Sequence, residues 1–469
     1  MLSRKEKLII VSNRLPYTRV SDSHWEKSSG GLITALDPIA KKKRAIWLGW
    51  DGCLKNDSDI SSFKLIDTAN LNGKNEEGYQ LGCIPLSKNE VDQYYNCFSN
   101  QTLWALFHYF FEKSALDYST WAVYEEVNQR FAAYIDQVAE DDDIVWIQDY
   151  HLFLVPQFLR SLRPRLKIHF FLHIPFPHND IFSILPWSRQ ILESMLCCNS
   201  IGFHHRQYLA NFEESITSHQ LVNAYSQLFV NPISVDFTNI DSTSKSDRVS
   251  KRSKEIRKEI GVSKMLIGVD RIDYSKGIKE RLLAIEWLLK ESPELRGKFI
   301  FHQIVVPSRE SVGSYRELKR EVDEIVGRIN GTYSTDHWIP IHYHYHTVSF
   351  EDLIALYLAA DIALVTPLRD GMNLVCKEFV AAHSDDDGIL ILSRFAGAYA
   401  ELQDCLVVNP YNIEEVKNTI YKAIHMPKEE RVKRMQNMRK SIQSHDIHSW
   451  MKNCAVFRRA GIYFLLNPR

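Results

Sequence analysis

The stretch DIALVTPLRDGMNLVCKE, residues 361–378, joins a short apolar run to a helix-forming segment. The run DIALV has the length and composition of a buried strand. Three polar residues that resist burial follow it closely, namely Arg369, Asp370 and Asn373, and Glu378 lies further along. A buried strand that ends in polar residues and leads into a helix is typical of α/β folds, in which ligands bind at the carboxyl ends of parallel strands.

The same layout recurs along most of the chain. Strands are predicted at KLIIVS, DDIVWIQD, KIHFFLHIPF, SKMLIGVD, KFIFHQIVV, DIALVT and GILILS. Between them, segments such as STWAVYEEVNQRFAAYIDQVA and KERLLAIEWLLK carry apolar residues at helical spacing. This alternation predicts an α/β protein with parallel sheets, built as two Rossmann-like domains that face each other across a cleft.

Chain length supports two domains. The 469 residues suit two domains of about 200 residues each better than one. A Ser/Lys/Arg-rich segment, 239–258, lacks a strand pattern, and we interpret it as a linker that opens into a charged helix. We therefore expect an N-terminal domain over 1–240, a C-terminal domain over 241–450 and a remaining terminal segment over 451–469.

Composition restricts the function classes. The formal net charge is -1, from 57 Lys+Arg and 58 Asp+Glu, so the chain has no general attraction for nucleic acid or anionic membranes. No stretch approaches the roughly 20 apolar residues of a membrane span, and the early run LIIV is too short for a secretion signal. The eight cysteines form no CxxC pattern and are typical of reduced thiols. We expect a cytoplasmic protein.

The join at residues 361–378 has the chemistry of a binding site. The first backbone N–H groups of the following helix lack intrahelical partners and, with the helix dipole, favour an anion. Gly371 would let the backbone approach a ligand, and the carboxylates of Asp370 and Glu378 suit sugar hydroxyls. The alternative is an N-capping aspartate on a solvated helix face. The density of polar groups after a buried strand favours the binding site.

VDRIDYSKGIKE, residues 269–280, has the same layout. Arg271 and Lys276 fall in the loop between strand and helix. Two cations there could neutralise a diphosphate and stabilise it as a leaving group. The alternative is two surface cations, one of them paired with Asp270 or Asp273, and these residues alone do not decide between the two interpretations.

Further polar residues end the strands of the first half. SNR places Arg14 at the end of the first strand, and Asp149 and His173 end two more. The paired glycines of SSGGL, 28–32, would permit close phosphate contact but lack the spacing of a P-loop or dinucleotide motif. A lone histidine at a strand end is more often structural, so these residues favour function only modestly.

Two patterns suggest a metal, and we interpret both otherwise. The triplets DDD at 141–143 and 385–387 look like solvated turns. The histidines of HYHYH, 342–346, would share one face of a strand, but no carboxylate lies within the run to complete a site. We expect no bound metal.

Taken together and in order, the motifs from Ile9 to about Trp450 resemble the trehalose-6-phosphate synthase family. They are VSNRLPY, SSGGL, WLGWDG, YYNCFSNQTLW, WIQDYHL, FLHIPFP, RIDYSKG, GRINGTY, TPLRDGMNLVCKE and LSRFAGA. The resemblance implies the GT-B glycosyltransferase fold, with an acceptor-binding first domain, a nucleotide-sugar-binding second domain and a terminal segment crossing back to the first. It also implies transfer of glucose from UDP-glucose to glucose 6-phosphate with retention, giving α,α-trehalose 6-phosphate and UDP without a cofactor or metal.

The same resemblance implies a role for individual residues. The residues implied for the acceptor are Arg14, Trp50, Tyr95, Trp104, Asp149 and Arg328. The residues implied for the donor are Gly30, Gly31, His173, Arg271, Lys276, Asp370, Gly371, Met372, Asn373, Leu374, Val375 and Glu378. The catalytic set is Arg271, Lys276, His173, Asp370 and Asp149, with the two cations carrying the charge of the departing diphosphate.

Some residues depart from the family pattern and leave alternatives open. Ser234 stands where relatives have a glycine, and an aromatic residue near Val348 is replaced, so ADP-glucose or GDP-glucose remain open as donors. DIFSILPW and SMLCCNSIGFHHRQYLANF favour the sister activity, glucosylglycerol-phosphate synthase. A pseudo-glycosyltransferase and an inactive sugar-phosphate-binding homologue are further alternatives. We expect small-molecule partners, no nucleic acid and no membrane, and leave homo-oligomerisation open.

Overall fold

The computed structural model describes residues 6–21, 24–28, 30–54, 63–73, 78–221, 226–309, 312–454 and 456. It divides into two compact units, one formed by Met1–Ile233 with His448–Arg469 and the other by Ser234–Ile447. Of the predicted terminal segment 451–469, residues 455 and 457–469 lie outside the described residues, as does Ser29 of the SSGGL motif.

The first unit contains ten strands among its described residues. They are β1 (Leu8–Arg14), β2 (Tyr17–Arg19), β3 (Trp25–Lys27), β4 (Ile46–Trp50), β5 (Leu65–Asp67), β6 (Gln80–Cys83), β7 (Ile144–Gln148), β8 (Lys167–Phe171), β9 (Ser200–Phe203) and β10 (Gln227–Val230). Eight of them form one sheet in the order β10-β9-β8-β7-β1-β4-β6-β5, parallel except for β5, while β2 and β3 pair separately.

Helices connect these strands. They are α1 (Gly31–Lys43), α2 (Lys88–Glu90), α3 (Trp104–Phe107), α4 (Tyr118–Val138), α5 (Val155–Leu162), α6 (Asn179–Phe182), α7 (Ser188–Met195) and α8 (Arg206–Ser218). A π-helical segment, Val91–Leu103, links α2 to α3. Strands β1, β4 and β7 are buried along nearly their whole length, which explains why they are apolar runs rather than alternating patterns.

The second unit is built on a six-stranded parallel sheet. Its strands are β11 (Lys264–Arg271), β12 (Phe299–Val306), β13 (Ile341–His344), β14 (Ile362–Val365), β15 (Ile389–Ser393) and β16 (Leu406–Val408). Its helices are α9 (Phe237–Ser244), α10 (Asp247–Ile260), α11 (Ile278–Glu291), α12 (Gly313–Tyr333), α13 (Phe350–Ala359), α14 (Leu374–Ala382), α15 (Ile413–Ile424) and α16 (Lys428–Ser444). The sheet order is β13-β12-β11-β14-β15-β16.

This order is that of a doubly wound Rossmann sheet, in which the chain direction across the sheet reverses between the first and fourth strands. Here the reversal lies between β11 and β14, which pair in parallel. The prediction of an α/β fold with parallel sheets is confirmed in both units, and each of the seven predicted strands is present.

The prediction for 239–258, a linker that opens into a charged helix, is confirmed for the helix and wrong for the linker. Nearly all of this segment is helical, with Asp236 capping α9 and Ser246 capping α10 through side-chain bonds to backbone N–H groups. In α10 the buried residues Val249, Ser253 and Ile256 recur at helical spacing. The predicted charged helix is therefore α10, while the residues predicted as linker lie largely in α9.

A last helix, α17 (Ile447–Asn453), packs within the first unit from its second residue onward. Trp450 lies 5.4 Å from Trp146 of β7, ring centroid to ring centroid, and is fully buried. Trp450 Nε1 also donates to the Asn231 carbonyl at 2.9 Å. Among the residues described, none of the helices combines the length and the apolar character needed to span a membrane.

Candidate active site

In the second unit, two loops meet at the reversal point of the sheet. The loop after β11 and the loop after β14 are joined by the backbone, because Leu368 N and Arg369 N both donate to the Ser275 carbonyl, at 2.7 and 3.3 Å. Gly277 has a φ of 64°, and a side chain there would overlap the Thr366 carbonyl. The close approach of these loops therefore requires glycine.

Lys276 and Asp370 form an ion pair between the two loops. Lys276 Nζ lies 2.6 Å from Asp370 Oδ2, and only 9% and 13% of the two side chains are exposed. Asn373 Nδ2 donates to the same carboxylate oxygen at 3.1 Å. The carboxylate of Asp370 is thus held by a cation and an amide, which fixes its orientation.

The start of α14 lies directly beside this pair. Asn373 adopts a φ of 73° and caps the helix, with its Oδ1 accepting from Cys376 N at 3.2 Å. Leu374 and Val375 are the first two helical residues, whose N–H groups have no carbonyl of the same helix to bind. A side chain at Gly397 would overlap the Gly371 carbonyl, so this turn too depends on glycine.

Met372 completes this backbone path. Its side chain is buried and its carbonyl accepts from Ala398 N at 2.9 Å. The Asp370 N–H is bonded to the Phe395 carbonyl at 3.1 Å. The chain from Asp370 to Val375 is therefore fixed against the turn that follows β15, as a rigid set of donors requires.

Glu378 lies one turn further into α14. Its Oε2 accepts from the hydroxyl of Tyr357 in α13 at 3.2 Å. Burial raises the pKa of Glu378, while the Tyr357 hydrogen bond works in the opposite direction. Glu378 is therefore a half-buried acceptor with one hydrogen-bond donor among the described residues, and its other oxygen has capacity for a ligand hydroxyl.

Three cations surround Asp273 in the loop after β11. Burial by itself would raise the pKa of Asp273, but Arg309, Lys276 and Arg271 together hold that pKa below its usual value. Arg271 is the exposed last residue of β11. The structure thus brings both sequence-predicted cations to one edge of the sheet, the edge at which Asp370 also lies.

Arg309 is a cation that the sequence analysis missed. It follows β12 at the same sheet edge, with Nη1 3.4 Å from Asp273 Oδ2 and 2.5 Å from the Tyr315 hydroxyl. Its φ of 51° is unusual for a residue with a side chain, and such strain often marks functional positions. The signal was available, because Arg309 follows an apolar strand as Arg271 does.

Arg328 lies elsewhere, which corrects the expectation that it joins the binding site. It is in the last third of α12, and its guanidinium binds both carboxylate oxygens of Glu286 at 2.9 and 2.7 Å. Asn330, two residues later, bonds the backbone of Ile341 at the start of β13. Arg328 is therefore near the amino ends of the strands, opposite the edge that carries Lys276 and Asp370.

In the first unit, a row of aromatic rings starts at the carboxyl end of β1. The Arg14 guanidinium carbon lies 4.6 Å from the centroid of the Trp50 ring. The Trp50 ring is 6.3 Å from Tyr95, which stacks on His151 at 5.7 Å. This row presents one cation beside flat apolar faces, a combination suited to a phosphorylated sugar.

Trp104 lies behind this row rather than in it. It is buried, stacks on His108 at 4.0 Å and approaches Tyr150 at 5.8 Å. Tyr150 in turn lies 3.9 Å from His151, the last ring of the row. Trp104 thus supports the aromatic row through Tyr150. Tyr95 belongs to the π-helical segment, a rare element that is frequent at functional sites.

Asp149 holds an unusual backbone conformation at the end of β7. Its φ is 74°, which costs on the order of 1–3 kcal/mol in a residue with a side chain. Its Oδ1 accepts from the backbone N–H of His173 at 3.1 Å, tying the ends of β7 and β8 together. The structure therefore brings Asp149 and His173 together, as expected for neighbouring strands.

The hydrogen bonds of His173 fix its tautomer. His204 Nδ1 accepts from Ile233 N at 3.3 Å, so His204 donates from Nε2 to His173 Nδ1 at 3.2 Å. His173 then donates from Nε2 to Gln148 Oε1 at 2.9 Å. Both ring nitrogens are engaged within the unit, and burial lowers the pKa of His173 to about 3. The imidazole is neutral and poorly suited to proton transfer.

Gly30 and Gly31 begin helix α1. Gly30 is the N-cap residue with a φ of 151°, and an added methyl there would meet no atom within 4 Å. The open space leaves the first turn of α1 accessible. Among the described residues, no group of three or more histidine, cysteine or acidic side chains has the arrangement to hold a metal ion, and that includes His342 and His344 of the histidine strand.

Comparison with known proteins agrees with this architecture. Residues 6–456 match the model of glycosyltransferase family 20. A trehalose-6-phosphate synthase from Mycobacterium marinum is 39% identical over 95% of this chain and 92% of its own length. An α,α-trehalose-phosphate synthase (UDP-forming) from Dictyostelium discoideum is 38% identical over 95% of this chain and 61% of its own.

Solved structures of trehalose-phosphate synthases also match this chain. The structure of an α,α-trehalose-phosphate synthase from Burkholderia xenovorans in complex with glucose-6-phosphate matches with a TM-score of 0.87 and 32% identity, over 95% of this chain and 98% of that one. A structure from E. coli bound with UDP-2-fluoro glucose matches with a TM-score of 0.87 and 32% identity, over 95% and 97%. The fold class is that of the GT-B glycosyltransferases, and the chain belongs to glycosyltransferase family 20.

Proposed function

We propose that this enzyme transfers glucose from UDP-glucose to glucose 6-phosphate with retention, giving α,α-trehalose 6-phosphate and UDP. The observation that carries the proposal is the Lys276–Asp370 pair at the reversal point of a Rossmann sheet. A cation, a fixed carboxylate and a helix N-terminus at this point suit a nucleotide diphosphate and its sugar. The relatives named UDP-forming trehalose-phosphate synthases support the choice of substrates.

In this proposal the second unit binds the donor. Arg271 and Lys276 bind the diphosphate, and the backbone N–H groups from Gly371 to Val375 supply further donors to the phosphates and the sugar. Asp370, oriented by Lys276 and Asn373, accepts hydroxyls of the transferred glucose. Glu378 accepts the ribose hydroxyls, because it is a half-buried carboxylate with spare acceptor capacity. We also propose Gly30 and Gly31, at the start of α1, as diphosphate contacts.

The first unit binds the acceptor. Arg14 pairs with the phosphate of glucose 6-phosphate, and Trp50 and Tyr95 pack against the sugar. Trp104 supports them from behind. Asp149 accepts hydrogen bonds from acceptor hydroxyls, and we propose that His173, whose backbone N–H donates to Asp149, contacts the transferred glucose.

The chemistry depends on electrostatics rather than on an enzyme nucleophile. Retention through two displacements would need a carboxylate free to attack the anomeric carbon. Asp370 is bound to Lys276 and Asn373, which makes it a poor nucleophile. His173, with its low pKa, does not serve as a general base. We propose that the departing phosphate takes the acceptor proton on the same face, while Arg271 and Lys276 stabilise its charge.

A nucleotide-release assay tests the proposal. Purified enzyme is given UDP-, ADP- or GDP-glucose with glucose 6-phosphate, with glycerol 3-phosphate or with no acceptor, and the product linkage is determined by NMR. We expect release of UDP only with glucose 6-phosphate. Release with glycerol 3-phosphate would identify the sister activity, and no release with any pair would favour an inactive sugar-phosphate-binding homologue.

A matched pair of variants connects this activity to the site. Arg14→Gln should raise the KM for glucose 6-phosphate about tenfold or more, since a charge-assisted contact is lost. Arg163→Gln is the control, because Arg163 pairs with Asp136 on the surface of the same unit. An equal KM in both variants would remove Arg14 from the acceptor site.

The eight free cysteines support a cytoplasmic location, which we also propose.

A further inference from the structure

Arg281 is a buried charge that none of the roles above uses. It lies in the first turn of α11, and its side chain is completely inaccessible to solvent. A buried guanidinium is tolerated only when it is neutralised and when its N–H donors are satisfied. Its partners therefore indicate what the residue holds in place.

The guanidinium of Arg281 joins three neighbouring strands, near the carboxyl ends of β11 and β14 and at the middle of β12. Nη1 lies 2.8 Å from Asp270 Oδ2 of β11 and 3.2 Å from Gln303 Oε1 of β12, and Nε lies 3.0 Å from Thr366 Oγ1, the residue after β14. These are the strands on both sides of the reversal point. One side chain thus sets the relative positions of the loops that form the donor site.

The fourth contact of the Arg281 guanidinium is with Lys276, which we assign to the diphosphate. Arg281 Nη2 donates to the backbone carbonyl of Lys276 at 3.1 Å. Lys276 is the cation that pairs with Asp370. The backbone of Lys276 is therefore held by Arg281, while its ammonium group is held by the carboxylate of Asp370.

The sheet makes room for this guanidinium at a glycine. Gly268 lies inside β11, where a glycine weakens a strand unless another group approaches closely. A methyl group at Gly268 would overlap Arg281 Nη1 and crowd Gln303 Oε1. The missing side chain at Gly268 therefore leaves the space beside β11 that the Arg281 guanidinium occupies.

We propose that Arg281 is a positioning residue for Lys276: it does not contact the substrate but fixes the loop from which Lys276 reaches the diphosphate. The inference rests on the proposed function of Lys276. Lysine in place of Arg281 keeps the charge beside Asp270 but lacks the planar fork needed to bind Thr366, Gln303 and the Lys276 carbonyl together. Displacement of a catalytic group by about 1 Å costs up to about 100-fold in rate.

A double-mutant cycle with Lys276 separates positioning from general stability. We measure kcat and KM for UDP-glucose in the parent, Arg281→Lys, Lys276→Ala and the double variant. We expect Arg281→Lys to lower kcat about 10- to 100-fold in the parent and less than about twofold in the Lys276→Ala background. Equal losses in both backgrounds, or an unchanged kcat in Arg281→Lys, would overturn the inference.

A second buried arginine provides the control. Arg439 is 12% exposed and donates to the carbonyls of Val380 and Ala381 and to Asp241, away from the sheet edge. Arg439→Lys should lower the melting temperature while kcat stays within about twofold of the parent. If it lowers kcat as much as Arg281→Lys does, loss of stability explains both and positioning is rejected.

Two milder variants serve if Arg281→Lys does not fold. Thr366→Val removes only the acceptor of Arg281 Nε, and Gly268→Ala displaces the guanidinium while leaving it in the chain. Both should lower kcat through Lys276 and show the same loss of effect in the Lys276→Ala background. Full activity in both variants would contradict the inference.

The same cycle can be measured on UDP affinity by calorimetry, which needs no turnover. We expect Arg281→Lys to weaken UDP binding in the parent but not in the Lys276→Ala background. A parent enzyme that binds UDP without releasing nucleotide from any donor would reject the proposed function, while the affinity cycle would still decide on Arg281. Additive affinity losses would reject Arg281 alone, and absence of UDP binding would reject both.

Discussion

Lys276 Nζ lies 2.6 Å from Asp370 Oδ2, although 94 residues separate the two positions in the chain. The pair forms because the first and fourth strands of a Rossmann sheet are neighbours, so the loops that follow them meet at one point. Both side chains are largely buried. The ion pair therefore orients the groups that we assign to the diphosphate and the sugar.

The stability of this pair can be measured. Lys276→Met leaves the carboxylate of Asp370 buried without its cation and should cost about 3–5 kcal/mol of unfolding free energy. Adding Asp370→Asn to that variant should restore part of the loss, since a neutral amide needs no counter-charge. Urea denaturation of the single and double variants checks both statements.

Lys279→Met is the control for this prediction. Lys279 is three residues further along the chain, and its ammonium pairs with Glu321 at 2.9 Å in a partly exposed position. Its loss should cost no more than about 1 kcal/mol. If the double variant Lys276→Met/Asp370→Asn is no more stable than Lys276→Met, the buried charge of Asp370 does not need Lys276 for its stabilisation.

Glu378 gives the acid dependence of donor binding. Burial raises its pKa, so the carboxylate gains a proton at a higher pH than an exposed glutamate does. A protonated carboxyl accepts ribose hydroxyls less well, and the KM for UDP-glucose should rise as the pH falls through this raised pKa. Glu378→Gln should raise that KM about 10- to 100-fold, the loss of a hydrogen bond to a charged group, and remove the acid limb.

The protonation of Glu378 has opposite effects on donor binding and on folding stability: it weakens binding but stabilises the folded protein. Because the folded pKa lies above the unfolded one, the carboxyl contributes stability below the unfolded pKa, and this contribution is lost as the pH rises through the folded pKa. Glu378→Gln should therefore gain stability relative to the parent as the pH rises from the unfolded-state pKa of the carboxyl through its raised folded-state pKa. Tyr357→Phe, which removes the donor to Glu378, should move the acid limb of KM to higher pH. An unmoved limb would assign it to another group.

Arg309 and Arg328 should differ in their effect on turnover. Arg328→Gln breaks only a half-exposed pair with Glu286, so kcat should stay within about twofold and stability within about 1 kcal/mol. Arg309→Gln removes a cation from the cluster around Asp273, and kcat/KM should fall about tenfold or more. Steady-state measurements of kcat and KM for the two variants test both statements. A larger loss in Arg328→Gln would restore the role that its motif first suggested.

Local patterns in the sequence were sufficient for the elements but not for every side-chain partner. The apolar run before Arg271 predicts β11, and the polar residues after Val365 predict the start of α14, because burial and capping depend on neighbouring residues. In the segment 239–258 the sequence predicts the charged helix α10 but not α9, because the Ser, Thr and Asp residues of α9 are typical of loops and only three of its residues are buried. Composition is a weaker guide than spacing when the apolar face is narrow.

The sequence by itself determined the α/β class, seven of the strands, the family and the loop that carries Lys276, because each follows from the order and spacing of residues along the chain. Only the tertiary structure decided which distant side chains meet. It paired Lys276 with Asp370, bonded Arg281 to the backbone carbonyl of Lys276, and put Arg328 at the amino edge and Arg309 at the carboxyl edge of one sheet. The reason is physical: strand order and helix direction decide which edge a residue occupies, and neither is written in the local pattern around an arginine.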